Sequence, residues 1–229
     1  MNMNTFNQFF FGIYPYICLA VFFLGSLVRF EREQYSWKSD SSQLLFHGQL
    51  RLGSILMHVG ILAVFFGHLF GLLTPLWFWD FIGVSHGTKQ VFAMVMGGIF
   101  GSAALVGLIL LIQRRFKIDR INANSSWQDK LVLIWLTATL CLGLCTIFVS
   151  MGHLDGEEMV KLMQWAQHIV TFRGGAASYL EDVNFLFKLH IFMGMTFFFI
   201  FPFTRMVHVW SGFASVSYVT RAWQLVRRR

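Results

Sequence analysis

The sequence predicts an all-α integral membrane protein with five transmembrane helices, and three observations predict it. Of the 229 residues, 56% are hydrophobic and only 13% charged, against about 25% charged in an ordinary soluble domain. The apolar residues gather into runs of roughly 20, the length an α-helix needs to cross a ~30 Å hydrocarbon core. Within the runs, polarity does not alternate with the period of two that a β-barrel strand requires.

In chain order the runs place spans at about 9–29, 52–73, 91–112, 131–150 and 184–209. No Lys or Arg precedes the first run, so it lacks the basic n-region of a cleavable signal and is expected to stay in the mature protein. All but four of the 18 basic residues fall on one side of the spans: Arg29, Arg32, Lys38 and Arg51 at the first connection, Arg114, Arg115, Lys117, Arg120 and Lys130 at the third, and Arg205, Arg221, Arg227, Arg228 and Arg229 at the C-terminal end. The other side receives Lys89, Lys161, Arg173 and Lys188, together with Asp80, Asp155, Glu157, Glu158, Glu181 and Asp182. The positive-inside rule then puts the N-terminus outside and the C-terminus in the cytoplasm, as an odd number of spans requires.

The one long connection, residues 151–183, lies outside. There Met159, Leu162, Met163, Trp165, Ala166, Ile169 and Val170 recur at helical spacing, which predicts a short amphipathic helix between spans four and five. With no internal repeat and no soluble domain boundary, residues 1–229 read as a single membrane domain. The net charge of +7 alternates with the spans instead of forming one groove, which argues against nucleic acid and for anionic lipid head groups and a cytoplasmic protein as partners. Cys18, Cys141 and Cys145 lie inside spans, form no CxxC or CxxCH pattern, and read as small buried apolar residues.

Span two, LGSILMHVGILAVFFGHLFGLL, contains His58 and His68; span five, FLFKLHIFMGMTFFFIFPFTRMVHVW, contains His190 and His208. An imidazole in hydrocarbon needs partners for its ring nitrogens, at a desolvation cost of roughly 2–7 kcal/mol otherwise. The two spans are antiparallel, so His68 and His190 share the outer depth and His58 and His208 the inner depth. Two imidazoles at each of two depths are what bis-histidine ligation of two haems requires, each ligand coming from a different helix.

Small residues beside the histidines, Gly60, Gly67, Gly71 and Gly194, are expected to let a macrocycle approach the backbone. The 18-residue spacing in span five is five whole turns, so both of its histidines share a face. Span two fits less neatly: ten residues rise about 15 Å against about 27 Å for span five at ~1.5 Å per residue. Helix tilt, different haem inclinations or a kink at Pro202 have to absorb the difference. The remaining histidines, His47, His86, His153 and His168, read as solvated side chains in loops or on the polar face of the outer helix.

Five stretches, FFFGIYPYI, HVGILAVFFGHLFGLLTP, MVKLMQWAQHIVTFRGGA, FKLHIFMGMTFFFIFPFTRMVHVW and YVTRAWQLVRRR, together resemble the gamma subunit, a di-haem cytochrome b, of membrane-bound respiratory nitrate reductases. The likeness covers almost the whole chain in order and is weakest near 80–88 and 113–127. It implies a bacterial inner-membrane protein with a periplasmic N-terminus. It also implies two b-type haems, the distal on His68 and His190 and the proximal on His58 and His208. The implied partners are a cytoplasmic iron–sulfur (beta) subunit and a molybdenum catalytic (alpha) subunit, and the implied substrate is quinol, either ubiquinol or menaquinol.

By the same resemblance Gly67, His68 and Lys89 line the quinol site beside the distal haem. Physically, the Lys89 ammonium at the outer boundary can hydrogen-bond a quinone oxygen and stabilise developing negative charge. The plainer reading is an interface lysine reaching for water. Haem propionates need cations at head-group depth, so at least one of Arg205, Arg114 and Arg115 is expected to meet a proximal-haem propionate. Nitrate itself should not touch this chain, which has no molybdenum or iron–sulfur ligand motif. Two other readings compete: a cytochrome b subunit of another quinone-linked iron–sulfur oxidoreductase, and a haem-free transporter whose histidines relay protons.

Overall fold

The computed structural model describes residues 3–33, 36–37 and 49–211. Lys38, His47, Arg221, Arg227, Arg228, Arg229 and the stretch YVTRAWQLVRRR lie outside the described residues. The described chain runs through nine α-helices: α1 (Met3–Gln8), α2 (Tyr14–Arg32), α3 (Leu50–Leu73), α4 (Leu76–Phe81), α5 (His86–Lys117), α6 (Asp119–Ala123), α7 (Trp127–Ser150), α8 (Glu157–Val170) and α9 (Phe185–Ile200). A π-helical turn, Phe9–Ile13, joins α1 to α2, so the first span is one continuous rod from Thr5 to Arg32. Pro15, at the junction of the π turn with α2, offers no N–H to the preceding turn, and the Phe11 carbonyl four residues back accepts from the Trp165 indole.

Five segments are long and apolar enough to cross a membrane: Thr5–Arg32, Leu50–Leu73, His86–Lys117, Trp127–Ser150 and Phe185–Phe203. The chain is thus a multi-pass, all-helical membrane protein. Large apolar side chains such as Phe23, Leu24, Phe92, Ile99 and Phe148 stand exposed along the spans, as a lipid-facing surface requires.

Span boundaries differ from expectation at polar caps. The third span starts five residues earlier than expected because Ser85 caps α5 by accepting from the Thr88 N–H. At 32 residues it is about 48 Å long at ~1.5 Å per residue, so Lys89 and Arg114 both lie within it. The fourth starts at Trp127 because Ser126 and Asp129 form a reciprocal capping box. The largest correction concerns span five. Its α-helix stops at Ile200, followed by 3₁₀ turns Phe201–Phe203 and Arg205–Val207, with Thr204 extended between them. Pro202, which cannot continue the ladder and crowds the preceding turn, accounts for the break.

Antiparallel neighbours give the bundle two ends. One carries α8, whose Trp165, Ala166 and Ile169 form a buried cluster with Phe11, Ala176, Ala177, Leu180, Val183 and Phe187. The amphipathic helix expected between spans four and five is therefore present, with its apolar face against the bundle. The other end gathers Arg29, Arg114, Arg115 and Arg205. Between the ends, α3 and α5 meet backbone to backbone. A Cβ at Gly60 would lie 2.5 Å from the Phe100 carbonyl oxygen, and one at Gly107 would strike the Met57 amide nitrogen. Small residues make this approach possible. Gly60 thus serves α5 and not a macrocycle, contrary to the sequence expectation.

Candidate functional site

The four span histidines come together in the expected pairs. The ring centres of His68 and His190 are 6.0 Å apart, and those of His58 and His208 are 6.4 Å apart. Every one of the four has its Nδ1 on a backbone carbonyl: His58 on Ser54 O (2.7 Å), His68 on Val64 O (2.8 Å), His190 on Thr139 O (3.0 Å) and His208 on Arg205 O (2.7 Å). A carbonyl only accepts, so Nδ1 carries the proton in each ring and Nε2 keeps its lone pair. This is the tautomer that a metal-ligating histidine shows, with its second nitrogen fixed by an acceptor.

The pairs fit haem. Imidazoles bind first-row metals at about 2.0–2.1 Å, so two of them on opposite sides of one iron stand with ring centres roughly 6 Å apart. Among the described residues no three His, Cys, Asp or Glu side chains form a metal-binding group. Each pair therefore offers two donors, the number a macrocycle leaves open on its iron. A Cβ at Gly71, one turn beyond His68, or at Gly194, one turn beyond His190, would meet no atom within 4 Å, and the same holds at Gly67. These three glycines leave open space beside the outer pair.

Three of the histidines lean on a carbonyl of their own segment, but His190 reaches from α9 to α7. There Gly143 gives the ring its place: a Cβ on it would lie 2.8 Å from His190 Cε1. Neither Thr139 nor Gly143 was expected as a site residue. A glycine inside an apolar helix is common enough to carry no signal, and a backbone carbonyl carries none.

At the α8 end Lys89 is 5% exposed. Its ammonium donates to Gly71 O (2.7 Å) and to Met163 Sδ (2.8 Å), and lies 4.4 Å from the centre of the Trp79 ring. This is a lysine held inside the protein by α3, α4 and α8, not one reaching for water. Its tie to Gly71 places it one turn beyond His68. Gln167 on α8 donates to Leu72 O (3.0 Å) and Thr74 O (3.1 Å), so the orphan carbonyls at the end of α3 are satisfied from two sides. His86, read as solvated, has its Nε2 3.8 Å from the Asp80 carboxylate.

At the opposite end two of the three arginines proposed for a propionate, Arg115 and Arg205, converge on Asp129, and Arg114 is buried beside Arg115 on α5. Arg115 Nη1 donates to Asp129 Oδ2 (3.1 Å), and Arg205 Nε to Asp129 Oδ1 (2.6 Å). Arg29 of α2 donates through Nη1 to Pro202 O and Thr204 O, both at 2.7 Å. Carbonyls at the helix break thus find a donor on α2.

Comparison with known proteins decides the family. The family model described as nitrate reductase gamma subunit matches residues 7–229. The chain belongs to the nitrate reductase gamma subunit family. Two relatives in Escherichia coli (strain K12) are named respiratory nitrate reductase 2 gamma chain, 50% identical over 97% of both chains, and respiratory nitrate reductase 1 gamma chain, 47% identical over 99% of this chain and 100% of the relative. The nitrate reductase gamma chain of Bacillus subtilis (strain 168) is 36% identical over 97% of this chain and 99% of the relative. This gamma-family chain is accordingly a membrane subunit of a nitrate reductase, an oxidoreductase complex, and a multi-pass protein of the inner membrane. Asp129, Arg29, Thr139, Gly143, Trp79 and Met163 make contacts at the candidate site that sequence reasoning did not assign. Of these only Asp129 left a trace, as the third residue after Ser126 in a capping-box pattern.

Proposed function

We propose that this chain oxidises quinol near the periplasmic face and carries the electrons to a cytoplasmic iron–sulfur (beta) subunit, behind which a molybdenum (alpha) subunit reduces nitrate. One observation carries the reading: four imidazoles in two pairs, each with Nδ1–H committed to a carbonyl and Nε2 left for a metal. When bound, two b-type haems supply one-electron transfer across the membrane, the distal held by His68 and His190 and the proximal by His58 and His208.

The chain's own residues do the rest. Lys89 Nζ has three N–H donors, of which Gly71 O and Met163 Sδ engage two. The third serves a quinol oxygen beside Gly67 and His68, and its positive charge favours the oxygen as it loses its proton. The protons leave on the α8 side. The arginine-rich side faces the cytoplasm, since it carries Arg29, Arg32, Arg51, Arg114, Arg115, Lys117, Arg120, Lys130 and Arg205 against Lys89, Lys161, Arg173 and Lys188 at the other end. It is the side on which the beta subunit docks and on which Arg114, Arg115 or Arg205 meets a propionate. A proton-relay transporter is disfavoured because a relay passes through both ring nitrogens, and here Nδ1 of each histidine faces an acceptor that takes no proton.

The test is a reduced-minus-oxidised optical spectrum with haem stoichiometry on the purified complex, wild type beside His58→Ala, His68→Ala, His190→Ala and His208→Ala. About two b haems per chain are expected, each substitution removing mainly one component. Lys89→Ala is expected to keep both haems and to slow quinol oxidation about 10- to 150-fold, the worth of a charge-assisted hydrogen bond. An assembled wild type without haem would end the reading.

A further inference from the structure

We infer that Asp129 is a positioning residue for the proximal haem ligand His208, acting through Arg205; the inference rests on the functional reading above. The acceptors of the other three histidines, Ser54, Val64 and Thr139, lie inside continuous helices. Their carbonyl positions are set by the helical ladder. The acceptor of His208 is different. Arg205 O belongs to a three-residue 3₁₀ turn preceded by an extended Thr204, and nothing in the local backbone fixes where that turn sits in the bundle.

Asp129 does fix it. Its carboxylate is buried at the start of α7 and accepts from three sides: Arg205 Nε on Oδ1 (2.6 Å), and Arg115 Nη1 (3.1 Å) with the Ser126 N–H (3.3 Å) on Oδ2. The same residue whose side chain is held by Asp129 offers its carbonyl, at 2.7 Å, to His208 Nδ1–H. The path from α7 to the proximal imidazole is therefore two hydrogen bonds through one residue. Within the turn, Thr204 Oγ1 accepts from the Met206 N–H (3.2 Å), which makes Thr204 to His208 a local unit. Held through Arg205, that unit moves with α7 and α5. Released, it lets the imidazole plane rotate and lengthens the Nδ1–H bond that makes the ring a stronger ligand.

The test uses the assembled complex, with electron paramagnetic resonance of the ferric low-spin haems, which reports imidazole orientation, and an optical redox titration. Asp129→Ala is expected to shift the resonance, and raise the midpoint potential, of the haem that His208→Ala abolishes, and to leave the haem that His190→Ala abolishes at its wild-type values. Asp129→Asn keeps an oxygen for Arg205 Nε, so its resonance is expected at the wild-type position. Ser126→Ala, which removes the helix cap but not the Arg205 contact, is expected to leave both haems unchanged. If Asp129→Ala does not assemble, Asp129→Ser, whose hydroxyl stops short of Arg205, carries the same expectation. Two unchanged resonances, two equally shifted ones, or an effect reproduced by Ser126→Ala would overturn the inference. A di-haem wild type with an unmoved proximal resonance in Asp129→Ala sinks this inference alone. A wild type without haem sinks the functional reading with it.

Discussion

At the α8 end, His68 stands in an unbroken helix and His190 rests on α7 through Thr139 O and the bare backbone of Gly143. The α8 end around them is built on apolar packing, with Trp165 donating to Phe11 O (2.9 Å) inside a buried cluster, while His68 itself lies at an exposed position of α3. At the arginine-rich end, His58 is equally well seated, but His208 follows a broken helix and depends on ionic and charge-assisted contacts from Asp129 and Arg29. The difference follows from depth and from Pro202. A break frees carbonyls and moves an imidazole off the helical ladder, so donors and acceptors from other helices must replace it, and arginines are tolerable only near the head groups. One end is shaped by what is missing at Gly143; the other by what is charged at Asp129.

The two pairs share one element, and that contact gives the largest expected effect. α3 supplies a histidine to each pair and is seated on α5 through Gly60 and Gly107. Gly60→Ala puts a methyl 2.5 Å from the Phe100 carbonyl, backbone that cannot swing aside. The cost is expected to exceed the ~1–3 kcal/mol of ordinary overpacking. Both haems should be lost together, read as haem per chain in purified complex. Selective loss of one would mean that each pair is seated independently of the α3–α5 contact.

Gly143→Ala should do what Gly60→Ala does not and separate the ends. The added methyl would lie 2.8 Å from His190 Cε1. The ring is the end of a side chain and can shift, so a cost of about 1–3 kcal/mol is expected, some 5- to 150-fold in haem retention. It should fall on the distal haem alone. A spectrum in which the proximal component weakens equally would show that α7 couples the two pairs.

These contrasts also mark what could be read from the chain. The five spans were legible because hydrocarbon demands long apolar runs, and the histidine pairs because four imidazoles at two depths are too costly to leave unexplained. The helix break was half legible: Pro202 signalled a kink, while the extended Thr204 and the carbonyls capped by Arg29 depend on α2 lying alongside, with Gly25 facing Pro202 at the distance a Cβ would make 3.0 Å. Lys89 was ambiguous because a boundary lysine turns outward or inward according to partners on other helices, here Gly71, Trp79 and Met163. Asp129 is both a helix cap and a bridge between arginines. A carboxylate three residues into a helix reads the same in sequence whether or not arginines from two other segments reach it.

Arg29→Ala carries the smallest expected effect and tests the inner half of the comparison from the α2 side. It removes the two charge-assisted bonds to the broken segment, at Pro202 O and Thr204 O, together with two to Ser36. Unsatisfied buried carbonyls cost about 1–3 kcal/mol each, but this end lies near the head groups, where water can take over part of the role, so roughly 1 kcal/mol is expected in total. The sign is fixed by geometry: the substitution loosens the segment carrying His208 and touches nothing that holds His190. Thermal loss of the proximal haem should therefore begin at a lower temperature while the distal component keeps its wild-type profile. Arg29→Lys, which retains the charge but not the forked donor, should fall between the two. If both haems loosened in step, the broken segment would be gripping the whole bundle instead of one ligand, and the division between a packed end and a clamped end would have to be given up.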